Sequence, residues 1–234
     1  MTNSTLQIKI KQRLNKLDSE DYDNLECWMI TEAYNKAQVE WCRRQITGSN
    51  ILKQGDEQSK RRVDDLQALL TTTPIILNAL DLYAETVVMP VDYFAFKRLE
   101  VFATKECCKD PRLMTVYESE EANAGLALKD DNKKPSFEWG ETFFTFIGNK
   151  IRVYTNSDFQ ISSSNLIYYK QPVKIQILGC SDPYTGLITT IDIAPQLKDD
   201  LVEVIIDEAV TILSGDIESF NQKNREQSAA EGNN

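Results

Sequence analysis

Apolar residues recur at helical spacing near the end of the chain. They follow one another at intervals of three or four positions, as one face of an α-helix requires. The members of this stripe are Leu197, Leu201, Val204, Ile205, Ala209, Ile212, Leu213, Ile217 and Phe220. Pro195 suits the first position of a helix, and acids follow it at Asp199 and Asp200. We therefore predict a long amphipathic helix from about Gln196 to Gln227, followed by a polar tail.

Helical periodicity also marks the first third of the chain. Apolar positions predict a short helix over about 5–16 and a second one over about 19–46, which Gly48 ends. A third helix is expected over about 56–70. All three segments carry an apolar stripe on one side, so each should pack against another element.

The pattern changes after Thr73, where short β-branched and aromatic runs alternate with turn residues. The strands predicted from these runs are Ile75–Leu77, Leu82–Val88, Leu99–Thr104, Leu113–Tyr117, Lys150–Thr155, Asn165–Lys170 and Thr189–Ile193. Residues 120–135 are polar and are interpreted as a loop. An aromatic run over 137–146 is interpreted as a packed core or a subunit interface rather than a base-stacking platform.

These elements predict an α+β fold. The N-terminal helices and the long C-terminal helix would form a helical bundle, and a β-rich module would be inserted between them. The predicted domains are 1–73 with 195–234 for the helical body and its polar tail, and 74–194 for the β-rich module. The candidate residues for helix packing or a subunit interface are Trp28, Trp41, Leu201, Val204, Ile205, Ile212, Leu213 and Phe220.

Composition narrows the possible functions. The formal net charge is −10, from 26 basic and 36 acidic residues, which gives little general attraction to nucleic acid. Histidine is absent from the sequence, which excludes the usual nucleophile–histidine arrangements of hydrolases. The five cysteines form no metal-binding spacing, and their odd number together with the absence of a secretion signal predicts reduced thiols rather than disulfides. No apolar run approaches the roughly 18 residues of a membrane span.

Charge is distributed unevenly between the ends. Residues 1–17 contain four basic residues and no acid, whereas residues 197–234 contain three basic and nine acidic residues. These segments could attract one another, either between subunits or within one.

Candidate chemistry is limited to paired carboxylates and short basic runs. Adjacent acids occur at 199–200, 207–208 and 120–121, and two carboxylates are enough for acid–base catalysis on sugars. Neighbouring residues on a helix point about 100° apart, so a solvated face is the favoured interpretation. The basic run 60–62 is followed directly by acids and is explained by pairing on a helix surface. No phosphate-binding loop or metal motif is present, and we expect no catalytic site, metal or cofactor.

Four segments of the chain are similar to structural proteins of tailed bacteriophages. They read LQIKIKQRLNKLDSEDYDNLECWMITEAYNKAQVEWCRRQ, MPVDYFAFKRLEVFATKECC, KPSFEWGETFFTFIGNKIRVYTN and LKDDLVEVIIDEAVTILSGDIESFNQKNREQ. The chain resembles the head-to-tail connector, or neck ring, proteins of crAss-like phages. The resemblance implies a ring of twelve copies in the virion neck. Its partners would be the portal protein, neighbouring neck or tail proteins, and DNA that passes through without sequence-specific binding.

The sequence therefore predicts a structural virion subunit without membrane contact. A tail hub or tube component is the alternative within the same class. A carboxylate-dependent hydrolase that uses Asp207 or Glu208, and a monomeric binding module, are the alternatives from other classes.

Overall fold

The computed structural model describes residues 1–15, 25–48, 64–106 and 108–231, without the side chains of Lys109 and residues 216–231. Contacts divide the chain into two compact units. Unit 1 comprises Met1–Ala68 and Pro172–Asn234, and unit 2 comprises Leu69–Gln171. The segment 172–194, which we assigned to the β-rich module, lies in unit 1.

Three helices form the larger part of the described residues in unit 1. They are α1 (Asn3–Asn15), α2 (Cys27–Thr47) and a C-terminal helix, α4 (Asp199–Glu231). Helix α4 contacts both α1 and α2. It does so because its apolar residues occur in pairs one turn apart, which gives the helix a wide buried stripe. The buried residues of this stripe are Leu201, Val202, Ile205, Ile206, Ala209, Val210 and Leu213.

Ion pairs join the basic helix α1 to the acidic helix α4 within one chain. Arg13 lies 2.5 Å from Glu203 and 2.8 Å from Asp207, and Lys9 also pairs with Glu203. The side chains remain partly exposed, so each pair contributes at most about 1 kcal/mol. Opposite charges from the two chain ends therefore form ion pairs within a single subunit.

Unit 2 is built around one eight-stranded sheet that curves into a half-barrel. Its strands are β1 (Leu70–Pro74), β2 (Leu77–Ala79), β3 (Tyr83–Thr86), β4 (Tyr93–Lys105), β5 (Cys108–Glu118), β6 (Glu141–Ile147), β7 (Lys150–Tyr154) and β8 (Gln160–Lys170). Their order is β1-β8-β4-β5-β6-β7-β3-β2. The β5–β6 pair is parallel and the other pairs are antiparallel.

The sheet has a buried core on one face and a smaller cluster on the other. Side chains alternate along each strand, so Ile151 and Val153 of β7 join the main core while Tyr154 faces the opposite side. There Tyr154 stacks on Phe143, and a short helix, α3 (Glu121–Ala127), covers the pair through Ala124. The strand predicted at Lys150–Thr155 is confirmed by β7.

The predicted fold class is wrong. We expected a helical bundle as the body of the molecule, whereas the eight-stranded half-barrel is its principal element. Strands β4, β5 and β8 have 13, 11 and 11 residues, and only their apolar parts were recognised. Pro111 interrupts β5 and three consecutive serines interrupt β8, so neither strand shows a continuous alternating pattern.

Several individual elements also differ from the prediction. The aromatic run over 137–146 overlaps strand β6, and the predicted loop over 120–135 contains α3. The predicted strand Thr189–Ile193 makes only isolated bridges. Of the predicted helix over 56–70, the residues before Asp64 lie outside the described part, and the chain enters β1 at Leu70.

The cysteine prediction also requires correction. Cys27 and Cys180 form a disulfide, with their Cα atoms 5.8 Å apart, although we expected reduced thiols. The two residues are 153 positions apart in sequence, so no local spacing could have indicated the pairing.

Among the described residues, no helix is both long enough and apolar enough to cross a membrane.

Candidate assembly surfaces

A hairpin of irregular backbone, residues 176–193, projects from unit 1. Antiparallel bridges join Gln176 to Ile193 and Ser181 to Ile188. The turn at its end is closed by hydrogen bonds from the Asp182 amide to the Leu187 carbonyl, 2.9 Å, and from the Gly186 amide to the Asp182 carbonyl, 2.8 Å. The hairpin is therefore a defined structure even though it contains no regular strand.

The base of this 176–193 hairpin is held by asparagines of two helices. Asn3 of α1 is buried and donates to the carbonyls of Gln176 and Ile193, at 2.8 and 3.0 Å. Asn35 of α2 accepts from the amide of Ile175 at 2.8 Å and also contacts its carbonyl. The Gln176 and Ile193 carbonyls also accept from each other's amides across the bridge, whereas the Ile175 amide and carbonyl have the Asn35 side chain as their partner. A sequence pattern does not reveal such long-range capping.

The outer part of the hairpin exposes large apolar side chains. Its exposed residues are Leu178, Tyr184, Leu187, Ile188 and Ile191, and Tyr184 is 83% exposed. Single exposed apolar residues are ordinary, but five on one short hairpin are an unusual concentration. Such patches on monomers are typical of sites that bind another protein. In the sequence, residues 179–186 are typical of a plain turn, and only the apolar residues after Gly186 indicate that the segment does more.

Unit 2 carries a second apolar surface, on the β2–β3 arm (residues 76–91). The amide of Val87 donates to the carbonyl of Ile76 at 3.2 Å, which places these two exposed residues side by side. At the other end of the arm, the Leu80 amide donates to the Tyr83 carbonyl at 2.8 Å and closes the turn. The exposed apolar residues of the arm are Ile76, Leu80, Leu82, Val87, Val88 and Val91.

A rigid turn in unit 2 presents Trp139, which is 80% exposed. The Arg112 guanidinium donates to the carbonyls of Phe137 and Glu138, at 3.0 and 2.9 Å. Gly140 follows with φ +71°, and a Cβ built there would lie 3.1 Å from the Arg112 guanidinium. Tryptophan is enriched at the centres of protein interfaces, so this exposed tryptophan is a candidate contact residue.

A cleft of about 1040 Å³ opens in unit 2 beside the tip of the β2–β3 arm. Its wall includes Lys105 and Asp158, which form an ion pair of 2.6 Å. Burial by itself raises the pKa of Asp158, but hydrogen bonds from Lys105 and from the Phe137 amide bring it below its ordinary value. Asp158 is therefore a fixed anion that braces the Trp139 turn, rather than a proton donor near neutral pH.

Ser157 of the cleft wall and its neighbour Asn156 adopt the left-handed backbone conformation. Asn156 has φ +51° and Ser157 has φ +57°. Asparagine tolerates this region, whereas serine adopts it at a cost. The Ser157 hydroxyl donates to the Asp81 carbonyl at 2.7 Å and helps to hold the conformation. The bond ties the cleft wall to the tip of the arm.

The residues predicted for helix packing or an interface lie in unit 1. Trp41, Leu201, Ile205 and Leu213 are buried within the chain, Trp28 and Ile212 are partly buried, and Val204 is half exposed. The side chain of Phe220 lies outside the described part. Trp28, Ile212 and Leu213 line a small cavity of about 170 Å³ between α2 and α4. Most of the residues predicted for helix packing or an interface therefore pack inside the subunit.

The paired carboxylates do not converge on one site. Asp207 pairs with Arg13 of α1, whereas Glu208 pairs with Arg44 of α2. Glu121 accepts hydrogen bonds from the hydroxyls of Thr145 and Tyr154 on the sheet. Each of these three carboxylates thus has its own basic or hydroxyl neighbour. The arrangement stabilises packing between elements and does not leave two carboxylates facing a common substrate position.

No metal-ligating cluster of three or more cysteine, aspartate or glutamate residues occurs among the described residues. Comparison with known proteins found no match, either among protein-family models or among curated protein sequences. The geometry of the two apolar surfaces is therefore the basis for assigning a function.

Proposed function

We propose that this chain is a structural subunit of a phage head-to-tail connector and that its copies associate into a ring. One observation carries the proposal: exposed apolar side chains are concentrated on two ordered segments, the 176–193 hairpin of unit 1 and the β2–β3 arm of unit 2. The contact between neighbours would join the hairpin of one copy to the arm of the next.

A closed ring requires two different complementary surfaces on every subunit. A two-fold dimer, in contrast, needs only one surface that is complementary to itself. The hairpin and the arm have different shapes, and each belongs to a different unit of the chain. This supports head-to-tail association rather than two-fold pairing.

The magnitudes indicate how many residues such a contact needs. Burying one leucine or isoleucine side chain stabilises a contact by about 1.5–3 kcal/mol. Association itself costs about 4–15 kcal/mol. The five apolar residues of the hairpin can offset this cost together, whereas any one of them cannot. Two substitutions on one surface should therefore abolish the ring.

The acidic charge is compatible with a channel through which DNA moves. The chain carries a net charge of −10, and a wall without clustered cations makes few counterion-releasing phosphate contacts. In this proposal the ring continues the exit channel between the portal and the tail. The portal and neighbouring neck proteins are its partners.

The test is the mass of the purified protein, measured alone and after mixing with its portal protein. Wild type should form a large cyclic assembly, and the hairpin variant Leu187→Ser with Ile188→Ser should remain monomeric. Leu126→Ser is the matched control, because Leu126 is equally apolar and 70% exposed but lies outside both surfaces. Wild-type protein that stays monomeric alone and with the portal would refute the proposal.

A monomeric binding module is the second candidate, and the cleft of about 1040 Å³ favours it. Its volume is near the upper end of the range typical of small-molecule sites. This function predicts a monomer at every concentration and no effect of the hairpin variant on mass.

A further inference from the structure

We propose that the Cys27–Cys180 disulfide is a redox-dependent lock on the outer half of the 176–193 hairpin. The inference rests on the proposed function, since the hairpin is the surface through which copies associate. Oxidation would hold that surface in one shape, and reduction would release it while the base of the hairpin stays in place.

The two halves of the hairpin are attached in different ways. Its base is fixed by hydrogen bonds between the side chains of Asn3 and Asn35 and the backbone of residues 175, 176 and 193. The outer half consists of residues 179–189, which hydrogen-bond to one another. Among the described residues, no hydrogen bond joins them to α1 or α2. The covalent bond from Cys180 to Cys27 at the start of α2 therefore carries the attachment of the outer half.

The burial of side chains along the hairpin also changes at Cys180. Along the outgoing side of the hairpin, Ile175, Ile177 and Cys180 are buried. Residues 181–192, all of which the structure describes, include none that is buried. Burial therefore ends at Cys180, the residue that carries the disulfide, and contributes little to fixing the hairpin beyond it. Losing the bond would leave the exposed turn and its apolar side chains to move as a local unit.

The two sulfur atoms differ in accessibility. Cys180 is 5% exposed, whereas Cys27 is partly exposed and is the first residue of helix α2. The positive end of the helix dipole favours a thiolate at that position. Exchange with an external thiol would therefore take place at the Cys27 sulfur. Cys42 is buried, and burial raises the pKa of its thiol to about 12, so it stays protonated and does not compete.

The chemistry balances with a low-molecular-weight disulfide as oxidant. The Cys27 thiolate attacks one sulfur of that disulfide and releases one small thiolate. The Cys180 thiolate then attacks the Cys27 sulfur of the mixed disulfide and releases the second. Two protein thiols are oxidised and one small disulfide is reduced to two thiols. Excess small thiol reverses both steps.

The disulfide would strengthen association because it holds the hairpin in its bound shape before a partner docks. A surface already held in its bound shape loses less conformational entropy when a partner docks. The oxidised chain should therefore associate more tightly than the reduced one with no new contact. Assembly would respond to the redox state of the surrounding solution.

Hydrogen exchange of the full-length chain tests the lock directly. The amides of Gly179, Asp182, Gly186 and Thr189 donate within the outer half. Their exchange should become about tenfold faster or more on reduction, because tenfold corresponds to only 1.4 kcal/mol. The amide of Ile193 at the base should change less than about twofold. Cys180→Ser should reproduce the reduced behaviour without reductant, and Cys108→Ser should behave as wild type.

Three outcomes would overturn the inference. The first is unchanged exchange of the outer half on reduction. The second is equal acceleration at Ile193, which would mean that the bond holds the whole hairpin. The third is alkylation of Cys27 and Cys180 in protein kept without reductant. Exchange is measured whether or not rings form, so failure of the lock leaves the ring proposal standing. Monomeric protein with redox-dependent exchange would refute only the ring.

Discussion

Gly140 shows how single residues shape the surface of unit 2. Its φ of +71° suits glycine, and a Cβ there would approach the Arg112 guanidinium to 3.1 Å. That guanidinium cannot retreat freely, since it donates to two carbonyls of the Trp139 turn. The turn that presents the exposed tryptophan thus depends on a glycine and an arginine 28 positions apart.

We predict that Gly140→Ala destabilises the protein more than Gly148→Ala. Gly148 has φ +57° but open space around its Cβ position, so its alanine variant should lose only the backbone cost of about 1–2 kcal/mol. Gly140→Ala should lose about 1–2 kcal/mol of stability in addition, because the Arg112 hydrogen bonds must shift. Urea-induced unfolding measures both losses. Equal stability of the two variants would contradict the assigned role of Arg112.

Glu203 gives a pH-dependent prediction. The hydrogen bond from Lys9 and the charges of Lys9 and Arg13 lower the pKa of Glu203, against a smaller effect of burial that raises it. A carboxylate with a lowered pKa in the folded state stabilises the protein above its ordinary pKa, about 4.3. That stabilisation is lost as the pH falls through the folded-state value.

The melting temperature of wild type should therefore fall more steeply below about pH 4.5 than that of Glu203→Gln. The effect should be small, since the pair is partly exposed. Glu32→Gln, which changes an exposed acid of α2, should follow the wild-type profile. Parallel profiles for wild type and Glu203→Gln would show that the α1–α4 ion pairs do not stabilise the fold.

At the scale of elements, α4 has a buried face and an exposed face. Ile205 is 0% exposed and Val204 is 50% exposed, although both belong to the same predicted apolar stripe. The apolar repeat indicated a helix, but it could not tell which apolar residues face the neighbouring helices. That assignment depends on where α1 and α2 lie, which periodicity does not contain.

We predict that Ile205→Ala and Val204→Ala differ strongly in stability. Ile205→Ala removes a fully buried side chain and should cost about 2–5 kcal/mol. Val204→Ala should change stability by less than about 0.5 kcal/mol, since alanine favours the helix and little buried area is lost. Thermal or urea denaturation distinguishes them. Similar losses would mean that Val204 is covered by another chain or that α4 is rotated.

In the strands, the hydropathy pattern fails where a buried residue is polar. In β7 the residues alternate cleanly, and the strand was recognised from the sequence. In β8 the serines over 162–164 obscure the alternation, yet Ser164 is buried and its hydroxyl donates to the Ile75 carbonyl at 2.9 Å. Polar residues inside a sheet are compatible with burial when they have such partners. Hydropathy alone does not reveal those partners.

At the scale of the whole molecule, the residue pattern indicated a change from helical to strand-like segments near residue 73 but did not reveal the fold. The half-barrel depends on pairing between strands as distant as β1 and β8, which no local pattern specifies. The candidate surfaces were missed for a related reason. The run that contains Trp139 was compatible with a core or an interface, and only the structure shows that Trp139 and Tyr184 are exposed.

The central claim is that each copy carries two different surfaces, and mixing two variants tests it most directly. The hairpin variant carries Leu187→Ser with Ile188→Ser, and the arm variant carries Ile76→Ser with Val88→Ser. Each alone should be monomeric. Mixed, the intact arm of one and the intact hairpin of the other should form a dimer of about twice 26.7 kDa and nothing larger. A mixture that stays monomeric, or either variant forming a complete ring alone, would contradict the account.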